Sequence, residues 1–181
     1  MLRRKFAIVF LLVSSLLLSI SKPTYAYNLE GYQWSSSAIK YYYEDYDSSR
    51  FRYFIELGAA AWNSQSINAS LTNSYGLGVF CGESYSPSAG WDGICYISWD
   101  NNGYITSASL VLNSGIAQTW NNDGALKSVA VHEFGHILSL GENPGLVCIM
   151  NDATWGPQSR YGTYGLTTPQ PIDVGGVNYI Y

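Results

Sequence analysis

The chain has 181 residues, with nine Lys and Arg against 13 Asp and Glu, a net charge of −4. A surplus of acid gives no electrostatic grip on nucleic acid or on an anionic lipid surface. Its 16 tyrosines and six tryptophans supply enough apolar area for a real core.

The first 26 residues read as a secretory signal peptide: a basic start at Met1 to Lys5, an apolar run from Phe6 to Ile20, and a short polar end from Ser21 to Ala26. Thr24 and Ala26 place small residues at the −3 and −1 positions of a cut after Ala26. A transmembrane anchor is the rival reading, but an apolar run of about 15 residues falls short of the roughly 20 that span a bilayer. Removing the signal also removes Arg3, Arg4, Lys5 and Lys22, so residues 27 to 181 carry five cations against 13 acids, a net charge of −8. This remainder reads as one domain, without an internal repeat, linker or low-complexity tract. Its first strand begins so close to the cut that no propeptide is expected.

In chain order, Trp34 to Tyr43 reads as an aromatic-rich strand. Ser48 or Ser49 can cap a helix through "RFRYFIELGAAAWNS", where Phe51, Phe54, Ile55, Leu57, Ala61 and Trp62 form an apolar stripe. Between Leu71 and Leu112 the pattern becomes strand-like in "YGLGVFC", "GICYISW" and "ITSASLVLN", with "DNNG" at 100 to 103 as a hairpin turn signal. Asp123 is placed as the cap of a second helix, "ALKSVAVHEFGHILSL", whose apolar residues cover nearly its whole circumference and predict burial. A loop then leads to a short final helix in "TPQPIDVGGVNYIY". Two helices flanking a small sheet predict an α+β domain.

His132 and His136 are the only two histidines, and they are four residues apart with Glu133 between them. On a helix the two imidazoles stack on one face, spaced to hold one metal ion. Glu133 lies about 100° further round, given ~3.6 residues per turn. From there it can reach a metal-activated water without itself ligating the metal, and act as general base. Random placement of the same residues yields this arrangement roughly once in 3,000 chains. Two imidazoles and a carboxylate on an otherwise apolar helix also cost several kcal/mol to bury unless they are paired or bind a metal.

This stretch resembles the metzincins, whose motif is H-E-x-x-H-x-x-G-x-x-H followed by a methionine turn, and within them the matrixin-like branch. "HEFGHILSLG" is similar to the active-site helix, Ile149-Met150 to the Met-turn, "GAAAWNS" to the first helix and "IDVGGVNYIY" to the closing helix. The resemblance implies a zincin-like α+β fold, with a small, mostly N-terminal sheet packed on two long helices. It also implies one catalytic Zn²⁺ and a hydrophobic floor at Met150. Two positions depart: Ser139 stands where the family has glycine, and Glu142 where it has the third histidine. Gly141 is expected to take over the turn two residues later. A carboxylate can complete a three-ligand zinc site, and an aspartate fills this position in some small bacterial metzincins. Glu142 is therefore the expected third ligand beside His132 and His136. Asp152, Asp173 and Cys148 are the competing donors, and an ordinary exposed loop glutamate is the rival reading. Asp173 looks like the acid of the family's closing helix, which gives it a structural role.

Of the three cysteines, Cys81 and Cys95 are expected to form a disulfide, because both lie in the strand-rich stretch, leaving Cys148 free. The strand around "ITSASLVLN" is expected at the cleft rim, able to hold an extended peptide by strand addition. The oxygen donors of "DNNG" allow Ca²⁺, but a turn accounts for them equally. "NAS" at 68 to 70 matters as a glycosylation site only in a eukaryote. The reading is a secreted zinc endopeptidase, expected to be a monomer acting on protein or peptide, with no nucleic-acid partner and no membrane contact after signal cleavage. The alternative is a secreted, non-catalytic binding module with a structural metal. A pore-forming or membrane-surface role is disfavoured, since no basic amphipathic helix accompanies the acidic charge.

Overall fold

The computed structural model describes residues 27–181; the expected signal peptide, residues 1–26, lies outside the described residues. Strand β1 (Ala38–Tyr42) alternates as its sequence requires, with Ile39 and Tyr41 buried and Ala38 and Lys40 facing solvent. It starts four residues later than the aromatic run alone indicates. Helix α1 (Ser49–Asn63) is capped by Ser48, whose side chain accepts a hydrogen bond from the Phe51 amide, and it buries Phe51, Phe54, Ile55, Ala59, Ala61 and Trp62.

The chain then returns to pair β2 (Ser70–Asn73) parallel to β1, and β3 (Val79–Ser84) parallel to the other side of β1. A parallel pair cannot be joined by a tight turn, so α1 serves as the crossover between β1 and β2. Next come β4 (Gly93–Trp99) and β5 (Ile105–Asn113), an antiparallel hairpin whose second strand inserts between β3 and β4. Its turn is stitched by Asp100, whose Oδ1 accepts from the Asn102 and Tyr104 amides at 2.8 and 3.0 Å. The turn thereby fully employs that oxygen. The sheet order is β2-β1-β3-β5-β4.

After β5 come a single turn, α2 (Ala117–Trp120), the buried α3 (Asp123–Ile137) and the closing α4 (Pro171–Ile180). The cap of α3 is Asn122, whose side chain accepts from the Ala125 amide, and not Asp123, which already lies inside the first turn. Asp123 instead pairs with Arg50 at 2.6 Å. The residues 27 to 181 contain no helix long and apolar enough to cross a membrane.

Three expectations are corrected here. The α+β, zincin-like domain, with a mostly N-terminal sheet on two long helices, is replaced by a small α/β domain: a five-stranded mixed sheet with four described helices. The reason is the parallel pairing of β1, β2, β3 and β5, which periodicity cannot show; the four-residue β2 and the one-turn α2 also carry too little pattern to register. Second, Cys81 and Cys95 are free. They pair with opposite sides of the same residue, Leu110, so a whole strand separates them. Two strand spacings amount to about 9.6 Å, beyond the ~7 Å within which a disulfide closes. Third, "ITSASLVLN" is the interior strand β5, and the free edge beside it belongs to β4.

Helix α3 is locked against α1 at Gly58. A Cβ there would lie 2.9 Å from Cδ2 of Phe134 and 3.1 Å from the Ala130 backbone carbon. Trp62 of α1 reinforces the contact by donating its indole N–H to the Val131 carbonyl at 2.8 Å. In Gly58→Ala, about 1 kcal/mol of helix propensity opposes the ~1–3 kcal/mol cost of overpacking. Both obstructing groups are buried and one is backbone, so the melting temperature should fall; a rise would mean that the helices part easily.

Candidate metal centre

Within α3, His132 and His136 stand one turn apart, 3 % and less than half exposed respectively, with their rings at 87°. Each Nδ1 lies 2.9 Å from a backbone carbonyl: that of Ile149 for His132 and that of Leu140 for His136. A carbonyl can only accept, so both Nδ1 atoms carry protons and each neutral ring presents an Nε2 lone pair. The two Nε2 atoms are 3.2 Å apart.

The loop after α3 brings the third donor back to this point. Beyond Leu138 the backbone turns at Ser139, with φ of 71°. The expected transfer of the turn to Gly141 is therefore corrected: Ser139 itself adopts the left-handed conformation. Gly141 has another task, its amide donating to the Asn28 carbonyl at 2.9 Å. Asn28 Nδ2 donates to the Glu142 carbonyl at 3.3 Å, and the Asn143 amide donates to the Met150 carbonyl at 2.7 Å. Held on both sides, Glu142 places Oε1 3.2 Å from each Nε2.

Three electron-pair donors thus form a triangle with equal 3.2 Å edges. A tetrahedral ion with bonds of about 2.0–2.1 Å has ligand-to-ligand edges of roughly 3.3 Å. The fit to a zinc-sized ion is close, and two imidazoles with a carboxylate are a donor set that zinc accepts. Glu142 Oε2 is buried without a hydrogen-bond partner, another sign that the carboxylate is set for a ligand. Among the described residues, His132, His136 and Glu142 form the one cluster of His, Cys, Asp or Glu side chains spaced for an ion.

Without an ion the same triangle is held by protons. Burial, aided by the charge of Arg160, lowers the pKa of His132 and keeps it neutral. Burial opposes charge on His136 too, but its bond to Glu142 and the Glu133 charge outweigh it and push His136 up to about 9. Burial likewise opposes charge on Glu142, and the two histidines override it, holding the carboxyl well below the usual range. A metal ion displaces the His136 proton, so uptake should release protons below that pKa.

The competing donors have other employment. Asp173 is 1 % exposed; its carboxylate accepts from the Gln170 and Ile149 amides at 2.7 and 2.9 Å and from the Met150 amide at 3.3 Å. It therefore ties the start of α4 to the segment that supplies the carbonyl partner of His132. Burial, with Asp173 nearby, pushes the Cys148 thiol up to about 12. Asp152 lines the cleft outside the cluster. Met150 is fully buried beneath α3, where a Cβ on Gly135 would overlap its sulfur.

Glu133 is 3 % exposed and lines an open cleft of about 690 Å³ between β4 and the segment carrying Asp152, Thr154 and Arg160. Its carboxylate rests against β4 at Gly93, where a Cβ would lie 2.7 Å from Oε1. Sequence reasoning missed Gly93, Arg160 and the Asn28 tether, none of which belongs to a local pattern.

No protein-family profile matches the sequence, and no curated protein is significantly similar to it. Among solved structures, a chain of the "GM1 bound form of the ECX AB5 holotoxin" is similar, with a TM-score of 0.54 and 14 % identity over 85 % of this chain and 86 % of that one. At this identity the likeness concerns the fold alone. It is a second ground for the correction: the fold is shared with a chain of an AB5 holotoxin.

Two predictions follow from the loop. Ser139→Gly relieves a left-handed conformation costing about 1 kcal/mol, so the urea midpoint should rise; a fall would assign that much value to the 3.4 Å contact between Ser139 Oγ and the Tyr181 hydroxyl. Glu142→Gln exchanges a carboxylate for a poor zinc donor, and zinc affinity measured by competition with a chromogenic chelator should drop at least tenfold. Equal affinity would reduce Glu142 to a loop residue.

Proposed function

We propose that the chain is a secreted zinc-dependent endopeptidase whose metal is held by His132, His136 and Glu142. The observation that carries this reading is the 3.2 Å triangle of donors that lines an open cleft together with Glu133. Zinc bound there supplies Lewis-acid polarisation of a carbonyl and acidifies water. The remaining work belongs to the chain. Glu133 takes a proton from the attacking water and delivers it to the departing amine. Gly93 leaves room for that carboxylate, and the Ile149 and Leu140 carbonyls fix the imidazole tautomers. The free edge of β4 offers backbone donors and acceptors to an extended peptide. The metzincin resemblance, with Met150 below the site, supports the same chemistry.

The second reading is a secreted binding module in which the ion is structural. Its support is the likeness to a chain of a GM1-bound AB5 holotoxin, which favours recognition and association with other chains over a free-standing protease. The two readings separate in one comparison of parent and Glu133→Ala proteins for zinc content, melting temperature and cleavage of an unstructured protein. The endopeptidase reading expects both to bind zinc and melt alike, with cleavage falling by at least ~10² in the variant and chelator abolishing it in the parent. No cleavage by the zinc-loaded parent, together with a chelator-induced fall in melting temperature, would leave the structural ion as the correct account.

A further inference from the structure

The cleft is lined by the carboxylates of Glu133 and Glu142 and by three more, those of Glu30, Asp92 and Asp152. Arg160 is the one Lys or Arg among the lining residues, and its donors are spent on the protein. Nη1 donates to the Asn151 and Asp152 carbonyls at 2.8 and 3.1 Å, and Nη2 to the Thr154 hydroxyl at 2.8 Å. Its Nε is sealed from solvent, and the residue is 2 % exposed. A doubly charged ion in the triangle is balanced by Glu142 and Glu133. Glu30, Asp92 and Asp152 then stand against Arg160 alone, so the cleft stays negative even when loaded. A cleft of one sign between low-dielectric walls focuses its field and draws in the opposite charge.

Two of these carboxylates are built into the wall and aimed at the cleft. Asp92 lies half-buried immediately before β4, and its Oδ1 accepts from the Thr119 hydroxyl. That hydroxyl in turn accepts from the Trp155 indole N–H at 2.8 Å, and Thr119 is fully buried, so the Asp92 carboxylate is held in one orientation. No N–H or O–H of the described residues donates to its Oδ2. An asparagine would accept from Thr119 equally well without a charge, so the clamp does not account for the carboxylate. One residue further on, at Gly93, the Glu133 carboxylate closes in; it is 3 % exposed, and no N–H or O–H of the described residues donates to it either. Trp91 and Trp155 line the same cleft, and Tyr32 and Trp99 add a stacked pair with ring centroids 4.7 Å apart. Aromatic faces attract a cation and cover the aliphatic stem that carries it. Carboxylate and indole together fit the side chain of Lys or Arg.

We propose that the cleft is selective for basic peptides, with Asp92 as the residue that receives the cationic group. This deepens the endopeptidase reading and rests on it for the consequence in cleavage, but not for the binding itself. Asp92 takes no part in the bond-breaking step; it determines which residue near the reacting bond is held. The cation has two sources, a Lys or Arg side chain and the free N-terminus of a short peptide.

The test uses the zinc-loaded chain and a panel of fluorogenic peptides of equal length, in which each position around the scissile bond is in turn Lys, Arg, Gln or Glu, each peptide made with a free and with an acetylated N-terminus. Binding is read separately by fluorescence anisotropy on Glu133→Ala protein, so affinity is measured without turnover. We expect one position at which Lys or Arg exceeds Gln by at least ~10-fold in kcat/KM and in affinity, the scale of one charge-assisted contact, with Glu below Gln, or the same ratio between free and acetylated termini. In Asp92→Asn, which keeps the acceptor for Thr119, that ratio should fall towards one because basic peptides lose more than their Gln counterparts. The ratio compares peptides on one protein, so partial loss of stability in the variant does not alter it. If the variant does not fold, the parent's ratio of basic to Gln peptides decides alone. Cleavage with no preference for a cation at any position or terminus would overturn the proposal and leave the endopeptidase reading standing. A preference that survives intact in Asp92→Asn would overturn the assignment to Asp92. Asp92-dependent binding of basic peptides with no cleavage would sustain the inference and remove the endopeptidase.

Discussion

Two backbone carbonyls decide how this molecule is organised. By accepting from Nδ1 of His132 and His136, Ile149 and Leu140 aim both Nε2 lone pairs at one point, and the Glu142 carboxylate meets them 3.2 Å away. Lone pairs at that distance repel unless a cation or a proton lies among them. Without an ion that proton sits on His136, bonded to Glu142, on a helix whose other faces are sealed by the core. The rest of the fold is arranged to hold the triangle closed. Gly58 draws α1 onto α3, Asp173 fixes the strand of loop that carries the Ile149 carbonyl, and Asn28 fastens the loop that carries Glu142.

The same organisation explains what was legible in the sequence. The pair of histidines and Glu133 lie within five residues on one helix, where a 3.6-residue period turns spacing directly into geometry. Helices α1 and α3 were visible from their apolar residues, with ends placed to within three residues. The sheet was not. Four of its five strands run parallel, and parallel order is decided by crossovers and by which strand inserts between which, facts that leave no mark in a local pattern. The supposed disulfide failed for that reason, since two cysteines that look adjacent along a strand-rich stretch face opposite edges of β5. The cleft rim moved from β5 to β4 by the same insertion.

Loop geometry shows a different limit. Glycine's absence at Ser139 invited the idea that the turn had shifted to Gly141, but the turn stays, with serine in the left-handed region. The constraint comes from Glu142. Only Leu140 and Gly141 separate it from Ser139, and only a sharp reversal at the end of α3 returns its carboxylate to a helix the chain has just left. Arg160 is invisible in sequence for the opposite reason. It is one arginine among ordinary polar residues, and its meaning comes wholly from burial and from the oxygens around it.

The tether at Asn28 and the clasp at Asp173 lie on either side of α3 and near the two ends of residues 27 to 181. The donor triangle itself lies within residues 132 to 142, but the Asn28 tether that holds its loop spans 114 residues of sequence, so it is fastened only once distant segments have met. A chain emerging in order presents His132 and His136 before Asp173 arrives to set the Ile149 carbonyl. An ion taken up at the proposed centre would therefore report that the whole domain has closed around it.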